Sequence, residues 1–275
     1  MPDEILSAMD ARVPPTAGPG SGTSPVFVLT ASRSGSTLLR FILDSHPRLA
    51  CPPETNIAAA CAQMCLAWDT LEKADSETRP LTDPVVADPE ALAAVREYAA
   101  RVYDRYLARR GKSRWCDKSL DNFQYTDLIA QLFPDARFIC LYRHCMDVIA
   151  SAVEACPWGL HRFGLDGFVA QNAGNSVAAV GSYWQSTVAA IQAFEERHPQ
   201  VCHRVRYEDL VTAPEETAAA ILSFLGEEPA PGITEQCFDL PHEGNGSGDE
   251  KLWFTSGVSA DSMGRGFMVP ADALP

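Results

Sequence analysis

Long hydrophobic runs are missing from this sequence of 275 residues, although 46% of its residues are hydrophobic. A helix that crosses a membrane needs about 18 or more consecutive apolar residues, so the sequence predicts no membrane span and no membrane partner. The first residues also lack a basic region followed by an apolar one, so we expect no secretion signal. The chain is therefore predicted to be cytoplasmic and to have enough apolar residues for a sizeable core.

Positive charge is scarce, because 22 lysines and arginines stand against 36 aspartates and glutamates, a formal net charge of −14. Proteins that bind nucleic acid generally carry a basic face, so this balance argues against a nucleic-acid partner. It argues equally against polyanionic acceptors such as heparin-like chains. A small anionic ligand must then be held by local backbone dipoles and by a few arginines or lysines.

Closely paired cysteines are also missing, since none of the nine cysteines belongs to a C-x-x-C motif. Cys116, Cys140 and Cys202 lie inside apolar, strand-like runs. This usage is typical of small buried side chains in a reducing compartment, and it favours neither disulfides nor a metal site.

Apolar strand-like runs alternate with helical patterns along the chain. This alternation predicts an α/β fold with a central parallel sheet of about four to five strands, covered by helices on both faces. Ligands of such sheets bind at the carboxyl ends of the strands. The predicted strands are Val26–Thr30, Ser113–Cys116, Arg137–Tyr142 and His203–Tyr207, and the predicted helices are Ser36–Ser45, Asn56–Glu72, Glu90–Arg110, Asn122–Leu132, Met146–Ala155, Gly167–Arg197 and Glu215–Leu225.

Composition divides the chain into a leader and one domain. Residues 1–24 are rich in proline, glycine, serine and threonine, and we interpret them as a flexible leader. Residues 25–275 are predicted to form a single domain. Its Gly- and Ser-rich segment at about residues 244–266 is interpreted as a lid over the site.

The loop between the first strand and the first helix is predicted to bind an anion. Small and hydroxyl residues follow Val26–Thr30, and Arg33 adds a fixed positive charge. Backbone N–H groups at a helix N-terminus, together with the helix dipole, attract anions. The loop therefore predicts a phosphate or sulfate ester site, although taken alone it also fits a serine-rich turn before a core helix. The residues predicted to cradle the anion are Ser34, Gly35, Ser36 and Thr37.

This loop is P-loop-like but differs from the ATPase P-loop, G-x-x-x-x-G-K-[ST], because the first glycine and the lysine are absent. We also find no apolar strand that ends in an aspartate suited to hold magnesium. The sequence thus predicts an anion cradle without a metal.

A second cluster follows the strand that ends at Tyr142. Arg143 emerges at its carboxyl end, and Ser151 follows eight residues later. Eight residues span a little over two helical turns, so both side chains can face one pocket if the loop bends back. Arginine supplies a forked donor for a phosphate, and serine adds a hydroxyl. Taken alone, the pair also fits a surface arginine and a small residue at a helix contact.

Taken in order, these motifs resemble those of sulfotransferases that use 3′-phosphoadenosine 5′-phosphosulfate (PAPS). The pattern is similar to that of tyrosylprotein sulfotransferases and related bacterial enzymes, which share an R-S-G-[ST]-T loop, an L-D-x-H-P motif and an acidic residue before threonine. The matching residues here are Arg33–Thr37, Leu43–Pro47 and Glu54–Thr55. The resemblance covers residues 25–266. Further stretches similar to those of bacterial sulfotransferases of secondary metabolism are Trp115–Ser119, Glu154–Gly159, Arg206–Val211 and Gly248–Lys251.

For binding of PAPS, the sulfuryl donor, the resemblance implies that the Arg33 loop holds the 5′-phosphosulfate. It implies that Arg143 and Ser151 hold the 3′-phosphate, and that Tyr207 lies near the nucleotide. Packing against the sheet is the alternative for Tyr207. Lys251 and Arg265 are candidates for further contacts from the lid, with surface charges in the tail as the alternative.

For catalysis, the resemblance implies that Glu54 is the general base. The preceding Pro52 and Pro53 form a stiff corner that can aim its carboxylate. The alternative is a first-turn glutamate that satisfies N–H groups of the following helix. His161, in a stretch predicted to rim the acceptor site, is the runner-up base.

Arg33 and Lys118 are the cations that the resemblance places on the transferring group. Lys118 also fits a solvated lysine at a strand end. Asp117 is a candidate for orienting Lys118.

The resemblance implies in-line transfer of a sulfuryl group from PAPS to a hydroxyl, which leaves adenosine 3′,5′-bisphosphate and needs no metal. The predicted acceptor is a small molecule or an intermediate bound to a carrier protein. One alternative is an ATP-dependent small-molecule kinase, which requires a divalent metal and a lysine in the loop. Another alternative is a nucleotide-binding module without turnover.

Overall fold

A computed structural model describes residues 24–72, 88–155, 164–243 and 255–269. Within these ranges, five parallel strands form one sheet in the order β2-β3-β1-β4-β5. The strands are β1 (Val26–Thr30), β2 (Leu49–Ala50), β3 (Arg114–Asp117), β4 (Arg137–Tyr142) and β5 (Cys202–Arg206). Because β1 is central and parallel to both neighbours, the carboxyl ends of β3, β1 and β4 lie side by side at one edge.

Helices connect these strands, and none of the helices in the described ranges is long and apolar enough to cross a membrane. Short 3₁₀ turns cover Asn122–Tyr125 and Arg265–Met268. The helices are α1 (Ser36–Ser45), α2 (Ile57–Glu72), α3 (Pro89–Arg110), α4 (Thr126–Leu132), α5 (Cys145–Ala155), α6 (Asp166–Gln171), α7 (Ser176–Arg197), α8 (Tyr207–Thr212), α9 (Pro214–Leu225) and α10 (Ile233–Gln236).

The sheet separates two hydrophobic cores. On β1, Phe27 and Leu29 point into a core that also contains side chains of α2, α3, α4 and α7. Val26 and Val28 point to the opposite face, into a core shared with α1, α8 and α9. Successive strand residues face opposite sides, so a strand covered on both faces has no exposed residues, as seen for all of β1. The predicted α/β fold, with helices on both faces of a parallel sheet, is confirmed.

The two edge strands of the sheet differ from the prediction. β2 was not predicted, because two residues are too short to show an alternating pattern. The last strand ends at Arg206 rather than at Tyr207, and Tyr207 instead begins α8. Its ring is thereby placed at the carboxyl edge of the sheet, where a ligand is expected.

The predicted helix over Gly167–Arg197 is two helices, α6 and α7. Gly174 lies between them with a φ of 81°, a left-handed conformation that interrupts a right-handed helix. Asn175 then caps α7 by accepting a hydrogen bond from the Ala178 N–H at 2.8 Å. The hydrophobic pattern alone continues across this turn and hides the break.

The domain prediction falls partly on residues that the structure leaves undescribed. Of the predicted leader, residues 1–24, only Ser24 is described. Of the predicted lid, residues 244–266, the part from Thr255 onward is described.

Candidate functional site

The β1–α1 loop makes a tight left-handed turn. Arg33 has a φ of 65° and Gly35 a φ of 90°. Gly35 immediately precedes α1 and provides no side-chain cap, so the start of this helix is open to an anionic ligand. Within the described residues the Ser34 hydroxyl is buried and has no hydrogen-bond partner. A buried, unpartnered hydroxyl beside a helix N-terminus is suited to a ligand oxygen.

The ring of Tyr207 is wedged between this loop and Arg143. A Cβ atom placed on Gly35 would lie 2.3 Å from the Tyr207 Cδ2 atom, so only glycine fits here. On the other side, the Arg143 Cζ atom lies 4.3 Å from the ring centroid in a cation–π contact. Tyr207 therefore joins the sheet edge to both predicted clusters, and it is buried there.

The two predicted anion-binding clusters are in direct contact. The Arg143 Nη1 atom donates to the Arg33 carbonyl oxygen at 2.8 Å, and the Arg33 Nε atom donates to the Ser151 Oγ atom at 3.1 Å. Arg143 and Ser151 are both buried, so the alternative of a surface arginine is wrong. Residues about 110 positions apart in the chain thus meet at one site.

Arg143 keeps donor capacity for a ligand. Its Nη2 atom donates to the Ser262 carbonyl at 2.5 Å, but its buried Nε atom has no partner among the described residues. Burial lowers the pKa of Arg143 from its ordinary value, an effect opposed by Tyr207 and Asp147. An anion at the Nε atom would complete the hydrogen bonds of a buried charge.

Both clusters line one cavity of about 280 Å³. This volume is close to the lower end of the range of about 300–1,000 Å³ that is typical of small-molecule sites. The predicted site residues on its wall are Arg33, Gly35, Ser36, Thr37, Glu54, Arg143, Ser151 and Tyr207.

Glu54, on the wall of this cavity, forms a buried ion pair with Lys118. The Lys118 Nζ atom lies 2.5 Å from the Glu54 Oε1 atom, and the two side chains are 3% exposed for Lys118 and 12% for Glu54. The alternative that Lys118 is a solvated lysine at a strand end is therefore wrong. The carboxylate is the form of glutamate that accepts a proton, so this pair places a candidate general base on the cavity wall.

Asp117 is the last residue of β3, so this strand ends one residue later than the predicted end at Cys116. Its carboxylate is fully buried and accepts hydrogen bonds from Thr55 and Tyr103 on one oxygen, and from the Ser119 N–H and Asn122 on the other. These bonds go to groups other than Lys118, whose ammonium is paired with Glu54 instead.

The C-terminal residues form one wall of the cavity and are fastened to α5. The Asp147 carboxylate accepts hydrogen bonds from the Gly264 N–H at 2.9 Å and from the Gly266 N–H at 2.8 Å. Arg265, on the same wall, forms an ion pair with Glu154, with 2.6 Å between the Nη2 and Oε2 atoms. Sequence reasoning missed Asp147, whose only signal is its place in the first turn of α5, four residues after Arg143.

A second contact that sequence reasoning missed comes from α7. The hydroxyl of Tyr183 accepts a hydrogen bond from the Ser32 N–H at 3.0 Å and so helps to hold the β1–α1 loop in place. In the sequence, Tyr183 is one of many apolar positions of a long helix, and no motif marks it. Lys251 and His161, by contrast, were predicted to be near the site and lie outside the described residues.

Comparison with known proteins agrees with this geometry. The model of the sulfotransferase family matches residues 25–231. The nodulation protein NoeE of Sinorhizobium fredii is 28% identical over 221 residues, which cover 74% of this chain and 50% of NoeE. A protein-tyrosine sulfotransferase of Drosophila melanogaster is 26% identical over 209 residues, which cover 73% of this chain and 37% of the fly protein. The chain thus spans half or less of the length of these two relatives.

Solved structures with the same fold are sulfotransferase domains. The sulfotransferase domain of the Synechococcus PCC 7002 olefin synthase superposes with a TM-score of 0.60 at 25% identity, covering 93% of this chain and 91% of that domain. The domain from the curacin biosynthetic pathway superposes with a TM-score of 0.54 at 21% identity and covers 86% of this chain and 84% of that domain. With three quarters of its length matched by the family model, and with this fold and this cavity, the chain belongs to the sulfotransferase family.

Proposed function

We propose that the chain transfers a sulfuryl group from PAPS to a hydroxyl of a small-molecule or carrier-bound acceptor. The observation that carries the proposal is the contact of Arg33 with both Arg143 and Ser151 beside the Glu54 carboxylate, on the wall of one cavity. A single ligand that carries phosphates at both ends, and a reactive group towards Glu54, is suited to this arrangement.

The donor fits the polar groups of the site. Two buried atoms without partners in the described residues are hydrogen-bond donors suited to phosphate oxygens: the Nε atom of Arg143, on the cavity wall, and the Oγ atom of Ser34, in the β1–α1 loop. We assign the β1–α1 loop and Arg33 to the 5′-phosphosulfate, and Arg143 with Ser151 to the 3′-phosphate. When bound, PAPS supplies an activated sulfuryl group and a phosphate leaving group.

Glu54 is proposed to take the proton of the acceptor hydroxyl, with the ion pair to Lys118 holding its carboxylate in place. Arg33 and Lys118 provide the positive charge that stabilises negative charge on the leaving phosphate. Lys118 is buried, so its charge acts in a water-poor environment where electrostatic effects are strong. These roles need positioning and charge rather than a covalent intermediate or a metal.

The acceptor class is inferred from the relatives. A sulfotransferase domain of an olefin synthase and one of the curacin biosynthetic pathway share the fold, and protein-tyrosine sulfotransferases share sequence. We propose a hydroxylated intermediate of secondary metabolism, free or bound to a carrier protein. The kinase alternative is not favoured, because the loop lacks the P-loop lysine and the family match is to sulfotransferases.

Mass spectrometry of sulfuryl transfer tests the proposal directly. The chain, incubated with PAPS and pooled hydroxylated acceptors, is expected to form adenosine 3′,5′-bisphosphate together with a sulfated acceptor or its elimination product. As a parallel test, adenosine 3′,5′-bisphosphate at 100 times its Kd is expected to stabilise the fold by about 2.7 kcal/mol. The stabilisation should persist in EDTA, whereas stabilisation by ATP with Mg²⁺ alone would instead indicate a kinase.

A further inference from the structure

We propose that Asp117 is a positioning residue, whose buried carboxylate holds the loop that carries Glu54 and so sets Glu54 against Lys118. The inference rests on the proposed role of Glu54 as the base. It replaces the expectation that Asp117 orients Lys118.

The Glu54 loop, residues 51–56, has little backbone support of its own. It lies between the two-residue strand β2 and the start of α2. Pro52 and Pro53 have no N–H groups to donate. Asn56 adopts a φ of 52°, a left-handed conformation that is uncommon for a residue other than glycine and persists only where the surroundings fix it. Side-chain anchors must therefore hold this loop in place.

Two anchors come from the residues on either side of Lys118. The Thr55 Oγ1 atom donates to the Asp117 Oδ2 atom at 2.5 Å. The Asn56 N–H donates to the Ser119 Oγ atom at 2.9 Å. Thr55 adjoins Glu54 and Asp117 adjoins Lys118, so this pair of hydrogen bonds fixes the two backbones that carry the ion pair.

Asp117 is itself rigidly held. Its side chain is fully buried, and a buried carboxylate is stable only when hydrogen bonds compensate for the loss of water. The hydroxyl of Tyr103 donates to it at 2.8 Å, the Ser119 N–H at 3.0 Å and the Asn122 Nδ2 atom at 2.9 Å. An acceptor with this many partners has one orientation and transmits it to Thr55.

A matched pair of variants isolates the contact with the loop. Thr55→Val keeps the side-chain shape and removes the hydroxyl that reaches Asp117. Thr70→Val is the control, because it removes an exposed hydroxyl of α2 that donates to the Leu66 carbonyl. Tyr103→Phe cannot serve here, because the Tyr103 hydroxyl lies 3.0 Å from the Thr55 Oγ1 atom and also donates to Asp117. Asp117→Ala is less suitable, because it strands several buried donors and threatens folding.

Steady-state kinetics and hydrogen exchange are measured on the full chain. Thr55→Val is expected to lower kcat by up to about 100-fold, the cost of a misplaced catalytic group, with little change in the KM for PAPS. Amide exchange at Asn56 is expected to accelerate. Ile57 is not used, because its N–H donates directly to the Thr55 Oγ1 atom. Thr55→Ser, which restores the hydroxyl, is expected to recover most of kcat, and Thr70→Val is expected to retain both kcat and exchange protection at Asn56.

The inference is overturned if Thr55→Val matches Thr70→Val in both kcat and amide exchange at Asn56. It is also overturned if Thr55→Val weakens binding of adenosine 3′,5′-bisphosphate as strongly as it lowers kcat, since Thr55 would then act on the nucleotide. If the wild-type chain transfers no sulfuryl group, the proposed function fails, and amide exchange alone decides whether Asp117 holds the loop.

Discussion

The Arg143 guanidinium donates a hydrogen bond to the backbone carbonyl of Arg33 at 2.8 Å. This bond brings the strand ends of β1 and β4 together through the very residues that the sequence marks for anion binding. Since the bond spans neighbouring parallel strands, the sheet itself sets the spacing of the two clusters. A nucleotide that binds both clusters should therefore be sensitive to small changes at either residue.

Replacing Arg143 by lysine is expected to weaken nucleotide binding. Lysine keeps the charge but loses the planar fork that reaches the Arg33 carbonyl, the Ser262 carbonyl and a ligand. We expect the Kd for adenosine 3′,5′-bisphosphate to rise about 10-fold or more, as for loss of a charged hydrogen bond of about 1.5–3 kcal/mol. Isothermal titration calorimetry measures this. Arg101→Lys, at an exposed arginine paired with Glu97, is the control and should leave the Kd unchanged.

Replacing Glu54 by glutamine is expected to lower kcat by roughly 10²–10⁴-fold, the usual effect of losing a general base. The shape is retained, so the Kd for adenosine 3′,5′-bisphosphate should change little. Turnover assays with the best acceptor measure kcat, with Glu97→Gln on the exposed face of α3 as the control. Wild-type turnover in the Glu54 variant would remove this residue from the mechanism.

Gly35→Ala is expected to displace Tyr207. The new Cβ atom would lie 2.3 Å from the Tyr207 Cδ2 atom, and the φ of 90° is unfavourable for alanine. Gly111→Ala is the matched control, because Gly111 also has a positive φ, 63°, but a Cβ atom added there would meet no atom within 4 Å. Both variants should lose about 1–3 kcal/mol of stability from backbone strain. Only Gly35→Ala should also lose nucleotide affinity. Equal affinities of the two variants in calorimetry would contradict a role for the Gly35–Tyr207 contact in binding.

Stability at acid pH is expected to depend on Asp44, whose carboxylate is buried at the end of α1. Burial raises its pKa, but His242, Lys112, the Cys51 N–H and Arg110 together lower it below its ordinary value. A carboxyl with a lower pKa in the folded state stabilises the fold above its unfolded pKa of about 3.9. That contribution is lost as the pH falls through the folded-state pKa.

Chemical denaturation between pH 7 and pH 2 checks this sign. Asp44→Asn is expected to lose about 3–5 kcal/mol at neutral pH, because it breaks a buried ion pair. Its stability should then fall less steeply on acidification than that of the wild type. Asp127→Asn is the control, since Asp127 is 45% exposed and pairs with an exposed arginine, Arg197. A steep acid loss that survives in Asp44→Asn would contradict the assignment.

The central strands and the anion loop were predictable because short-range signals mark them. Val26–Thr30 and Arg137–Tyr142 each contain a run of four or more apolar residues, and both strands have the predicted bounds. Parallel strands carry their ligands at their carboxyl ends, so Arg33 and Arg143 were expected on one edge. The alternation of strands and helices then indicated the class of fold.

The contacts that orient the site were not predictable, because they join residues far apart in the chain. Asp147 faces residues 264 and 266, and Tyr183 faces Ser32, with no local pattern to indicate either partner. Lys118 followed a strand and looked equally suited to solvent. Lys118 is buried because it pairs with Glu54, which lies more than 60 positions earlier in the chain.

Within the described part of the chain, the Arg143 guanidinium donates to main-chain oxygens, those of Arg33 and Ser262. Every amino acid has a main-chain oxygen, so this hydrogen bond tolerates substitution of the side chain at residue 262. It does not tolerate a change in chain length between Ser262 and the glycines that Asp147 holds, Gly264 and Gly266. Such a change would move the Ser262 carbonyl oxygen out of reach of Arg143. Relatives that retain this arginine and vary freely in sequence along the wall should therefore keep its length constant.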